Sequence, residues 1–99
     1  MVRHIILWKL KDSIPESEKP LCRAEAKRRL EGLAGKIPGL LSISVETAPL
    51  ASSNADMMLD SSFETEADLA AYQTNPLHVE AASYVRSVVE TRLCLDFQS

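Results

Sequence analysis

Only two of the 99 residues are cysteine, and Cys22 and Cys94 fall in segments of different character, one helix-like and one strand-like. Neither belongs to a C-x-x-C pair, and two thiols make no disulfide framework. Both are therefore read as reduced side chains that behave as small apolar groups. Glycine is scarce, three residues against five prolines, which excludes collagen-like and low-complexity chains. Gly32, Gly35 and Gly39 punctuate a helix end, and there is no G-x-G-x-x-G, P-loop or G-x-S-x-G. A nucleotide cofactor and a hydrolase elbow have no support, and no cofactor is expected. Positive charge is thin as well. The net charge is −3, and the single cluster Lys27-Arg28-Arg29 is not the extended basic face that nucleic acid needs. No apolar run approaches the ~20 residues of a membrane span. Met1 to Leu10 lacks the apolar region and cleavage site of a signal peptide, so a cytoplasmic protein with no membrane partner is expected.

What is present is an ordinary globular composition. Hydrophobic residues at 45% and charged residues at 25% allow a single domain over residues 1–99 with one modest core. Val2 to Lys11 is rich in β-branched residues. One parity (Val2, His4, Ile6, Trp8, Leu10) is apolar apart from His4, and the other is apolar at Ile5 and Leu7, the pattern of a strand covered on both faces. Ser17 to Lys36 has helical periodicity, with Leu21, Ala26, Leu30, Leu33 and Ile37 inward and Pro20 confined to the first turn. Leu40 to Thr47 alternates as a strand, with Leu41, Ile43 and Val45 on one side. Met57 to Glu64 forms a third strand, with Met57, Leu59, Ser61 and Phe63 on one face. Thr65 opens the next helix with a capping spacing to Asp68. Asn75-Pro76 interrupts it, Asn75 as N-cap and Pro76 as first helical residue, and the restarted piece carries a stripe of His78, Ala82, Val85 and Val89. Thr91 to Phe97 is the fourth strand.

The order β-α-β-β-α-β predicts an α+β, ferredoxin-like domain: a four-stranded antiparallel sheet with helices on one face. The uncovered face then offers Ile5, Leu7, Leu93, Leu95 and Phe97 to solvent. Apolar patches of that kind mark an interface, and a homodimer whose two sheets face each other removes it.

Three residues could carry chemistry. His4 and His78 occupy otherwise apolar faces, and Tyr72 lies six residues before His78 across the Asn75-Pro76 break. If the helices cover the strand face bearing His4, all three point into one cleft, whose apolar lining would come from Trp8, Met57, Leu59 and Val85. An imidazole with a pKa of about 6.5 takes or gives a proton at neutral pH, and a Tyr hydroxyl can hold a carbonyl oxygen. Structural roles compete: His78, third in its helix, can bond its own first turn or the preceding loop, and Tyr72 can be a core ring with a satisfied hydroxyl. Metal is not expected, because two distant histidines with Asp56, Asp60 or Asp96 make no ligand spacing such as H-E-x-x-H. A hard cation on Asp60, Ser62 and Asp96 at a dimer interface is the one alternative weighed.

With these residues placed, the sequence resembles the stress-responsive A/B barrel (Dabb) family. The matching segments are MVRHIILWKLKD at the start, GKIPGLLSI from Gly35 to Ile43, FETEADLAAYQTNPLHV from Phe63 to Val79, and the ending VVETRLCLDF. The resemblance implies a ferredoxin-like subunit, a homodimer closing a dimeric α/β barrel between two sheets, and residence inside the cell. In one branch, a plant polyketide cyclase that needs no cofactor, the resemblance implies a catalytic His at His78, a Tyr at Tyr72 and a further pocket His at His4. This chain departs from that branch at Met57, where the cyclase has another pocket His, and in lacking an evident second Tyr in the first helix.

Three readings follow. The domain is a dimer that binds a small apolar or aromatic carbonyl compound in the sheet–helix cleft. Alternatively it is a cofactor-free lyase or cyclase in which His78 is the general base, Tyr72 the oxyanion partner and His4 orients the pair. Or it is a structural, stress-protective dimer with no ligand, whose cleft would not exceed the ~300 Å³ at which ligand pockets begin.

Overall fold

A computed structural model describes all 99 residues. The elements run β1 (Val2–Leu10), α1 (Lys19–Glu31), β2 (Leu40–Glu46), β3 (Met57–Phe63), α2 (Glu66–Thr74), α3 (Pro76–Val88) and β4 (Val89–Gln98). The four strands form one antiparallel sheet in the order β2-β3-β1-β4. This is the ferredoxin-like arrangement expected, with the second helix in two pieces.

Local chemistry explains the boundaries. In α1, Pro20 occupies the first turn, and from Gly32 onward the backbone makes tighter turns, Leu33 N–H to Leu30 O and Lys36 N–H to Leu33 O. The helix is therefore shorter than the Ser17–Lys36 periodicity indicates. Leu33 and Ile37 stay buried in the irregular segment after it, whereas Leu21, in the first turn, is exposed. At the start of α2 the Thr65 hydroxyl accepts from the Asp68 backbone N–H, and at α3 the Asn75 side chain accepts from the Leu77 N–H ahead of Pro76. Gly39 has a φ of +80°, and a Cβ there would fall 2.2 Å from the Asp68 side chain. This turn thus needs glycine on two counts.

Side-chain direction follows strand parity, with one correction. Val2, His4, Ile6, Trp8 and Leu10 of β1 are buried on the helix side, as are Met57, Leu59, Ser61 and Phe63 of β3. In β2 the pairing shifts between Leu40 and Ser42. The bulge makes Leu41 the extra residue and turns it to solvent, so it does not share a face with Ile43 and Val45. The far side of the sheet is uncovered in the single chain. Leu93 and Leu95 are 65% and 64% exposed there, and Leu7 and Phe97 are also open to solvent, so β1 is covered on one face only.

Candidate functional site

On the inner sheet face α1 packs against β2 and α3, α2 against β1, β2 and β3, and β4 is the edge strand beside β1. A cavity of about 230 Å³ lies between the inner sheet face and the helices. His4, Ile6 and Trp8 of β1 and Leu59 of β3 form its floor, and Tyr72, His78 and Val85 close it from above. Arg86 of α3 and Arg92 of β4 line it as well, with Gln73 beside Tyr72. His4, Tyr72, His78, Trp8, Leu59 and Val85 therefore meet in one place. Met57 does not join them: it is a buried core residue that borders a separate depression near Leu7 and Met58. On α3 the most buried positions are Ala81 and Val85, with His78 and Ala82 half-buried at the cavity side.

The helix break builds the central pair. Six residues apart on one continuous helix, Tyr72 and His78 would sit about 120° apart around the axis. The new start at Asn75 brings their rings to 4.0 Å between centroids, inclined at 39°. Tyr72 also leans on Phe63 at 4.9 Å, and His4 presents an edge to Tyr72 at 6.2 Å. The Tyr72 hydroxyl is buried with no hydrogen-bond partner in the protein, and His78, whose Nδ1 is also buried, meets only the Gln73 backbone. That excludes the satisfied-hydroxyl role for Tyr72 within the chain. Unpaired buried polar atoms are uncommon and call for an explanation.

Burial sets their protonation. It pushes the Tyr72 hydroxyl upward, opposed only by the positive charge of Arg92. It pulls the His78 imidazole below 6.5, opposed by a hydrogen bond to the Gln73 backbone in the segment before α3, the structural role expected of it, and reinforced by His4, Arg86 and Arg92. At neutral pH the site thus holds a phenol that can donate a hydrogen bond and an imidazole free to accept a proton.

His4 is placed differently. It is fully buried, its Nδ1 is bonded to the Asp96 carboxylate on β4, and it makes no hydrogen bond to Tyr72 or His78. Cys94 Sγ lies 3.7 Å from His4 Nδ1 and 3.4 Å from Asp96 Oδ1. Nitrogen, sulfur and oxygen donors therefore meet within 4.8 Å, while burial and Asp96 push the Cys94 thiol up, which keeps it protonated. Strand pairing creates this cluster, since His4 faces Asp96 and Ile6 faces Cys94 across β1 and β4. The register also separates Asp96 from Asp60 and Ser62. Those two point to the outer sheet face, where Asp60 pairs with Arg3 and Ser62 with Ser42, so the three form no common cation site.

The stress responsive A/B barrel (Dabb) domain model matches residues 2–99. The chain belongs to the Dabb family. This Dabb domain is similar in structure to a dimeric ferredoxin-like protein of unknown function from Bacteroides fragilis, at 32% identity and a TM-score of 0.92, covering 99% of this chain and 95% of that one. It is also similar to a dimeric ferredoxin-like protein of unknown function from Thermobifida fusca (22% identity, TM-score 0.79, 99% and 90% covered). A hydroxynitrile lyase from Passiflora edulis shares the fold (18% identity, TM-score 0.71, 97% and 90% covered). No functionally curated protein matches the sequence.

Proposed function

We propose that this Dabb domain is a cytoplasmic homodimer that binds a small apolar or aromatic carbonyl compound in the cavity of each subunit. One observation carries the ligand: the buried Tyr72 hydroxyl, on a ring stacked against His78 at an apolar cavity, has no protein partner. A carbonyl oxygen would accept from the hydroxyl while the ring or chain of the ligand replaced water against Ile6, Trp8 and Leu59. The cavity volume, below the ~300–1,000 Å³ usual for ligand pockets, limits the compound to a small one and does not by itself set the ligand reading above the structural one. The dimer is supported by the exposed Leu93, Leu95 and Phe97 on the outer sheet face and by the dimeric relatives from Bacteroides fragilis and Thermobifida fusca. Two unpaired thiols support a reducing compartment. The test is an NMR titration of the two histidines against small aromatic ketones and β-polyketide mimics. A shift of the His78 resonances supports the site; two histidines indifferent to every compound would leave the ligand-free structural dimer.

A second reading has its own support in the protonation states. A neutral His78 beside a protonated Tyr72 is the pair a cofactor-independent, polyketide-cyclase-like enzyme needs: His78 removes a proton from the carbon next to the carbonyl, and Tyr72 holds the enolate oxygen. The fold hosts catalysis in the Passiflora edulis lyase. Replacing His78 with Ala should abolish turnover while dimer mass and melting temperature stay nearly unchanged, and a stable variant with full turnover would refute the enzyme reading.

A further inference from the structure

The cavity carries a charge asymmetry that a neutral carbonyl ligand leaves unused. Its lining includes two guanidinium groups, Arg86 and Arg92, and no carboxylate, although the chain as a whole carries −3. Arg3, Arg28 and Arg29 each hold a carboxylate elsewhere on the surface. Arg86 and Arg92 hold none, nor does Arg23 away from the cavity; Arg92 lies beside Cys94, and Asp96, on the same sheet face, is bonded to His4. The two arginines come from different elements, α3 and β4, and both positive charges act on His78. No lysine and no further arginine lines the cavity. A guanidinium fork matches a carboxylate in a planar, two-point contact, and a fork without a carboxylate at the rim of an apolar cavity is set up to receive one.

We infer that the ligand is an anion, a small apolar or aromatic carbonyl compound bearing a carboxylate, with its acid group against Arg86 and Arg92 and its carbonyl oxygen at the Tyr72 hydroxyl. This assignment rests on the cavity being the carbonyl site proposed above. It deepens that reading by dividing the ligand into an apolar body, a central carbonyl and an acidic end. Charge-assisted hydrogen bonds are about twice as strong as neutral ones, but both arginines are exposed and solvent screens the pairing, so an acid should bind about fivefold tighter than its ester.

The probes are benzoylacetate and its methyl ester, titrated by calorimetry and by the His78 resonances in the intact protein. The expected result is tighter binding of the acid, an advantage that shrinks as salt is raised because the pairing is electrostatic. The double variant Arg86→Gln/Arg92→Gln should bring the acid down to the level of the ester. Equal affinity of acid and ester in the wild type would overturn the charge assignment and leave the carbonyl site standing. An advantage that survives in the double variant would overturn it as well, since the acid would then be held elsewhere. Binding of neither compound would remove the carbonyl site and, with it, this inference.

Discussion

Replacing Tyr72 with Phe removes a single oxygen from the most enclosed side chain of the site. Tyr72 is fully buried and its hydroxyl has no protein partner, so the substitution breaks no protein hydrogen bond. The ring keeps its packing at 4.9 Å from Phe63 and 4.0 Å from His78. A buried polar group left unpaired costs roughly 1–3 kcal/mol. The variant should therefore be as stable as the wild type or more stable, by up to about 3 kcal/mol. In a domain of this size each kcal/mol moves the melting temperature by about 4–8 °C. Thermal melts followed by circular dichroism would read this directly, at fixed protein concentration because a dimer's melting point depends on it. The same variant should bind carbonyl compounds about tenfold more weakly, the loss of roughly one hydrogen bond. Gained or unchanged stability with lost binding is the signature of a group kept for a ligand. A loss of more than about 1 kcal/mol on melting would refute the reasoning, because the hydroxyl would then be a structural hydrogen bond. Unchanged affinity would take the hydroxyl out of the site.

Three further outcomes follow from other parts of the molecule. Light scattering of the wild type should give twice 10.9 kDa, and Leu95→Asp, which buries an unpaired charge in the outer-face contact, should halve that mass or unfold the chain; a monomeric wild type would overturn the dimer. Burial, with His4, Arg86 and Arg92 adding to it, holds His78 below 6.5, so below that pH the unfolded chain takes up a proton that the folded chain refuses. Stability should be unaffected by this group above pH 6.5, fall as pH drops below it, and level off once pH passes the lowered value. Urea midpoints at about pH 7.5 and 5.5 should thus differ less in His78→Gln than in the wild type, and equal differences would contradict a depressed His78. Gly39→Ala meets both a left-handed φ and the Asp68 side chain and should lower stability by roughly 1–3 kcal/mol; a neutral effect on denaturant unfolding would show that the turn can relax.

The fold was legible because its signals are local. Alternation in β1 and β3, the Thr65 and Asn75 caps and the Gly39 turn each depend on neighbours within a few residues, and all of them act in the structure. Misreadings arose where periodicity outlasted hydrogen bonding. Leu33 and Ile37 stay in phase with α1 although the helix ends at Glu31, because a buried irregular segment satisfies the same apolar pattern. Leu21 and Leu41 are apolar but exposed, one in a first helical turn and the other in a bulge. A bulge leaves almost no trace in composition.

The site was only half legible, and the reason lies in the edge strand. His4, Tyr72 and His78 stood out as polar residues on apolar faces, the contrast that burial creates. Arg86 and Arg92 carry no such contrast, since an arginine on an outer helical turn or an edge strand reads as solvated surface. The sheet order β2-β3-β1-β4 sets β4 beside β1 and so brings Arg92 to the cavity, while Arg86 reaches it from α3. The same register brings Cys94 and Asp96 to His4, residues separated from it by nearly the whole chain. Nonlocal strand pairing therefore supplies Arg92 and the partners of His4, whereas α3, restarted at the helix break, supplies His78 and Arg86. A perturbation of β4 register should for that reason disturb His4 and Arg92 while leaving Arg86 and the Tyr72–His78 stack intact, and the two parts can be tested apart.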